Sequence, residues 1–423
     1  MYPVTITLLF LGFAIVMFAW EKIPLALTAI IVNVGLILTG VLDVQTGFSG
    51  FTNGTVILFV GMFIVGGALF ETGMADDIGK LVTKFAKTER QAIISIMVIA
   101  GFMGAFLSNT GITAVLIPVV LGVTAKSGFT RSRLMMPLAL ASTMGGDLSV
   151  IGTPGNMIAQ NALSEVGMSF GFFEFAIVGL PILILGILYY VFFAYKMLPE
   201  IDKELDADSA ANNIRDYSNV PAWKKKASLI ILIITILGMI FENIVGIPLH
   251  MISSIGAIAL VLLGVISEKQ AYNAIDMKVI FLFAGTLSLA TALDHTGTGE
   301  IIARMIIGVL GENPSQFLLL STILFLTCTF TMIMSNTATA ALLVPINLSI
   351  ALSIGADPRG ILMATAIGSS WAFASPISTP ANAMVLSLGG YKFKDYLKIG
   401  LPLVGIAFIT TLIIIPIFFP LFP

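Results

Sequence analysis

Charge is what this sequence has least of: Asp, Glu, Lys and Arg make up 10% of its 423 residues. A soluble domain carries about 25%, so an ordinary aqueous surface is excluded. The net charge of −2 offers no basic face to nucleic acid. A single cysteine, Cys328, excludes an intrachain disulfide and a cysteine-based metal cluster. Two histidines, His250 and His295, leave little from which to build a zinc or haem site. No GxxxxGK[ST] loop is present, so no ATP-driven step is implied. The few His, Cys and carboxylate residues form no nucleophile–base set, so neither an enzyme nor a resident cofactor is expected.

What the chain does have is apolar length: 57% of residues are hydrophobic and the mean hydropathy is +1.03. The apolar runs are continuous and about 17–25 residues long, the length of a helix that crosses the hydrocarbon, and lack the alternation of a barrel strand. They predict spans near residues 4–20, 23–42, 54–72, 172–196, 227–245, 248–266, 277–294 and 396–420. The first lacks the basic flank of a signal peptide and reads as a retained span. Two further spans, 133–163 and 359–390, are broken by Gly, Ser, Thr and Pro. Two stretches, 91–125 and 315–353, are too long for one crossing, and each is split by Ser-Asn-Thr, at Ser108-Asn109-Thr110 and Ser335-Asn336-Thr337. Both read as re-entrant hairpins.

The two halves match. Asn109 and Asn336 lie 227 residues apart, as do Pro118 and Pro345. Thr153-Pro154-x-Asn156 returns as Thr379-Pro380-x-Asn382 at an offset of 226, and Ala68-Leu69-x-x-Thr72-Gly73 returns as Ala292-Leu293-x-x-Thr296-Gly297 at 224. The expected organisation is therefore a first repeat over 1–198, a polar cytoplasmic linker over 199–226, and a second repeat over 227–423. Five crossings per repeat, an odd number, force the second copy to be inverted. With both termini placed outside the cell membrane, all but Arg304 and Arg359 of the 21 Lys and Arg residues fall on the inner side, the skew that positive-inside bias produces.

Backbone breaks at membrane depth are costly unless they line a cavity, and paired breaks in inverted repeats point to a transporter's binding site. One Ser-Asn-Thr alone would read as helix packing. Two at matching positions, each followed by a broken Thr-Pro-x-Asn span, point to a site. Their hydroxyls and amides both donate and accept; helix N-termini favour an anion, and carbonyls favour Na⁺.

These paired motifs resemble the divalent anion/sodium symporter family, within the ion transporter superfamily, over nearly the whole chain. The resemblance implies an all-α membrane protein of ten transmembrane helices plus two re-entrant hairpins, working as a homodimer by an elevator mechanism. It implies that Asn109, Thr110, Asn336 and Thr337 hold the substrate, a di- or tricarboxylate or sulfate. It also implies Na⁺ as the coupling ion, one held by Ser108, Asn109 and Gly152, a second by Thr331, Ser335, Asn336 and the Ser378–Pro380 backbone. A cation/proton antiporter and an arsenite-type oxyanion permease of the same superfamily are the alternatives.

Two departures stand out. The family pattern usually reads Thr-Pro-Pro-Asn; here the spans read Thr-Pro-Gly-Asn and Thr-Pro-Ala-Asn, and Gly155 is expected to loosen the backbone. Asp147 sits inside the first broken span, where an ionisable residue is a functional candidate: a cation ligand or proton-coupling carboxylate, or else a brace of the unwound segment. Elsewhere, Asn33 is expected to make an interhelical hydrogen bond, and Trp20, Tyr189 and Tyr195 to sit in interfacial belts.

Overall fold

A computed structural model describes residues 3–20, 22–81, 87–199, 217, 219–310 and 315–422. Most of the expected linker, 200–216 and 218, lies outside the described residues. Among the described residues the chain is helical throughout, without strands. Among those residues, seven helices are long and apolar enough to cross a membrane.

The first half contains α1 (Pro3–Trp20), α2 (Leu25–Leu38), α3 (Gly54–Thr72), α4 (Glu89–Gly104), α5 (Asn109–Ser127), α6 (Arg131–Gly146), α7 (Pro154–Glu165) and α8 (Ala176–Tyr189). The second contains α9 (Ala222–Ile240), α10 (Leu249–Leu262), α11 (Met277–His295), α12 (Thr298–Leu310), α13 (Gln316–Ile333), α14 (Asn336–Ser353), α15 (Pro358–Ser370), α16 (Pro380–Leu388) and α17 (Phe393–Phe418). Each expected break occurs, and it falls where the sequence supplies a cap. Ser108 and Ser335 adopt extended backbone and start α5 and α14; Thr153 and Thr379 do the same for α7 and α16. A capping box of Thr88 and Gln91 starts α4.

The halves interleave in packing. One group forms as α2 lies on α11 and α3 lies on α10. In the other, α4 lies on α6, α7 packs between α14 and α15, and α16 packs on α6 and α5. Glycine permits the tightest of these approaches. A Cβ on Gly145 would overlap the Gly101 carbonyl oxygen, and one on Gly104 would stand 2.5 Å from the Ser142 carbonyl oxygen, so α4 and α6 touch backbone to backbone. Large apolar side chains such as Leu38, Ile244 and Leu262 remain exposed, as lipid-facing residues do. Trp20 is exposed with the Lys22 ammonium 4.9 Å from its ring centre.

Two expectations are corrected. Tyr189 is buried, and its hydroxyl donates to the Ile399 carbonyl at 3.0 Å, so it ties α8 to α17 rather than joining a belt. Asn33 is fully buried with neither side-chain atom hydrogen-bonded, because the α2 face it occupies packs on Gly47 and apolar neighbours.

Candidate functional site

Four helix starts are built alike. The Ser108 hydroxyl accepts from the Gly111 N–H at 3.1 Å, and the Ser335 hydroxyl from the Ala338 N–H at 3.3 Å. Thr153 accepts from the Asn156 N–H at 3.3 Å, and Thr379 from the Asn382 N–H at 3.2 Å. Pro154 and Pro380 occupy the first helical position, where a missing N–H leaves nothing unsatisfied.

All four starts line one cavity of about 380 Å³. Ser108, Asn109 and Thr110 meet Ser335, Asn336 and Thr337 there, with Gly152, Thr153, Ser378 and Pro380 beside them. The opposing wall is α3, from Phe59 to Glu71, and the start of α11. Among the described residues none of the lining side chains is basic, and two are acidic, Glu71 and Asp276. The Glu71 carboxylate accepts from the Gln270 amide at 3.0 Å. Asp276 caps α11, accepting from the Lys278 and Val279 N–H groups at 3.0 and 3.3 Å.

The two tips differ in detail. Asn336 is anchored: its Nδ2 donates to the Ser370 carbonyl at 3.1 Å, and the Thr331 hydroxyl lies 2.9 Å from its Oδ1. The Thr331 hydroxyl also reaches the Ser369 carbonyl, and the Ser378 hydroxyl lies 3.4 Å from the Met332 carbonyl. Thr331, Asn336 and Ser378 are thus gathered on one side of the tip. At the first tip the Asn109 Oδ1 is buried with no hydrogen-bond partner. It and the Gly152 carbonyl both border Gly146: a Cβ there would lie 3.1 Å from that carbonyl oxygen and 3.3 Å from the Asn109 Oδ1.

Two residues gain roles that the motifs alone did not assign. The Asn156 Nδ2 donates to the Gly146 and Ser149 carbonyls, and the Asn382 Nδ2 to those of Ala372 and Ser375. Each closes its own unwound segment. Gly155 is explained by space rather than by backbone freedom: a Cβ there would lie 2.8 Å from the Ser369 Oγ and 3.3 Å from the Ala340 Cβ. The glycine lets α7 settle onto α14 and α15. Asp147 is fully buried behind the cavity and is not part of its lining.

A second cavity, of about 400 Å³, lies toward the other ends of α3, α7, α11 and α14, lined by Asn53, Glu165, Asp294 and Leu352 among others. Phe59 lines the first cavity and Phe283 the second, and their rings meet edge to face at 5.0 Å. That contact stands in the partition between the two.

Comparison with known proteins fits this geometry. The citrate transporter (CitMHS) family model matches residues 15–314 and 230–422. An uncharacterized transporter of Haemophilus influenzae is 29% identical over 95% of this chain and 89% of its own. The sodium-dependent dicarboxylate transporter SdcS of Staphylococcus aureus (strain USA300) is 25% identical over 90% of this chain and 79% of its own. Among solved structures, the YdaH transporter of Alcanivorax borkumensis superposes with a TM-score of 0.68 over 100% of both chains at 15% identity, a likeness of fold.

Proposed function

This chain belongs to the citrate transporter family, a multi-pass membrane transporter and not an enzyme, and from that premise we propose that it carries a small divalent anion together with Na⁺. The substrate class is a di- or tricarboxylate, or sulfate. The observation that supports this most strongly is the convergence of four helix N-termini on a cavity whose described lining holds no basic side chain. Each N-terminus is worth about 0.3–2 kcal/mol to an anion. Each buried charge costs several kcal/mol to desolvate, and a dianion carries two. Over the lower part of that range helix ends alone fall short. Bound cations make up the difference. The sodium-dependent dicarboxylate relatives are consistent with that arithmetic.

In this reading Asn109, Thr110, Asn336 and Thr337 hold the substrate carboxylates. One Na⁺ takes Ser108, the unpartnered Asn109 Oδ1 and the Gly152 carbonyl. The other takes Thr331, Ser335, Asn336 and the Ser378–Pro380 backbone. The repeats over 1–198 and 227–423 are inverted, giving ten crossings and two hairpins that re-enter the membrane from opposite sides, with both termini outside. Tips and broken spans move as one body in each protomer of a homodimer, carrying the site from one cavity toward the other past the Phe59–Phe283 partition.

The decisive experiment is uptake by purified protein in liposomes, with and without a sodium gradient, against a panel of labelled anions. Sodium-dependent accumulation of a dicarboxylate, tricarboxylate or sulfate supports the reading. Equal uptake with and without sodium, or exchange of Na⁺ for protons with no anion moved, overturns it.

A further inference from the structure

Behind the second tip stands a carboxyl that the proposed site does not use. Asp147 closes α6, is 0% exposed, and its backbone carbonyl abuts Gly179 of α8. The elements packed around it bring no countercharge. Helix α8 carries no charged residue. On α15 the one charged side chain is Arg359, at the opposite end, paired with Glu174. On α6 the charges are Arg131 and Arg133 in the first turn, and Arg133 pairs with Glu89 at the start of α4. Among the described residues, no ion pair includes Asp147, and its Oδ1 has no hydrogen-bond partner. An ionised carboxylate in such a place is strongly disfavoured.

The contact with Ser370 accommodates that neutral state. The Ser370 Oγ lies 2.7 Å from the Asp147 Oδ2 and 2.8 Å from the Ile367 carbonyl oxygen. A serine hydroxyl has one proton to give. The hydroxyl either divides that proton between the two acceptors or, with Asp147 protonated, gives it to Ile367 while Asp147 donates to the Ser370 Oγ. Ser370 is also the residue whose carbonyl accepts from the Asn336 Nδ2 at 3.1 Å. It therefore stands between the carboxyl of the first half and the tip of the second.

We propose that Asp147 is a permanently neutral carboxylic acid that fixes Ser370 and, through it, Asn336: a positioning residue for the second tip and not a proton carrier. The positioning half of this inference rests on Asn336 being a substrate or ion ligand; the neutral acid does not. Two measurements on the full chain separate them. Infrared spectroscopy of the wild type is expected to show a protonated carboxylic acid band, absent in Asp147→Asn and unchanged from mildly acid to alkaline buffer. In liposomes Asp147→Asn, whose amide can still donate to Ser370, is expected to keep wild-type uptake and an unaltered pH profile. Asp147→Ala and Ser370→Ala are expected to raise the half-saturating substrate concentration ~10-fold, the scale of one lost hydrogen bond, with a smaller effect on maximal rate. A carboxylate band that titrates overturns the inference, as does loss of transport or a flattened pH profile in a folded Asp147→Asn. Should the wild type move no anion, the transport reading fails, while the infrared band still decides the state of Asp147.

Discussion

Asn156 and Asn382, 226 residues apart, make the same two-pronged contact: each side-chain amide donates to the carbonyls ten and seven residues before it, at distances between 2.8 and 3.0 Å. Both asparagines are buried. The loops they close are unwound where a continuous helix would otherwise satisfy its own backbone, so one side chain supplies what two missing helical N–H donors would have given.

Asn156→Ala or Asn382→Ala leaves two buried carbonyls without these donors, which costs about 1–3 kcal/mol for each group stranded. Both variants are expected to melt earlier in detergent than the wild type. Asn→Asp at either position replaces the donor with an acceptor and is expected to be worse than alanine. A melting temperature unchanged in all four variants would remove the clamp.

The tip asparagines are expected to behave differently. Asn109→Ala should leave the melting temperature within a few degrees of wild type, Asn336→Ala should lower it modestly, and both should reduce anion uptake by roughly 10–100-fold, the scale of one charge-assisted hydrogen bond. Near-normal transport in both would show that the substrate sits elsewhere.

Thr331→Val removes a hydroxyl at nearly constant volume. It is expected to raise the sodium concentration needed for half-maximal uptake, with substrate affinity at saturating sodium changed less. Titrating uptake against sodium at fixed substrate reads this directly, and an unshifted sodium curve would exclude Thr331 as a ligand.

Gly145→Ala tests the fusion of α4 to α6. The added methyl has no room against the Gly101 carbonyl, and overpacking typically costs about 1–3 kcal/mol. Gly12→Ala, where nothing lies within 4 Å, is the control. The first is expected to lower thermal stability and the second to raise it slightly or leave it unchanged.

Much of the frame was legible because polar residues are conspicuous in an apolar chain. Ser108 and Ser335 mark helix starts by their capping chemistry, and both tips do face one hollow. Span ends drifted by a few residues, as with 227–245 against the observed Ala222–Ile240, because hydropathy alone does not see Pro221 at the N-cap. Glu71 and Asp276 were not foreseen as lining residues, since their place depends on how α3 and α11 lie against the tips. Nor could periodicity reveal the contact of Asp147 with Ser370, which spans 223 residues. Gly155 was read as a freedom of the backbone, yet what it provides is clearance for Ser369.

The want of a basic side chain among the described residues of the hollow reaches beyond affinity. If the tips and broken spans contribute no fixed charge, the current through the membrane in one cycle counts only the passengers. A dianion accompanied by two sodium ions would then pass silently under voltage clamp, and one accompanied by three would be drawn inward by a negative interior. Under that condition electrophysiology on this carrier reads its stoichiometry directly.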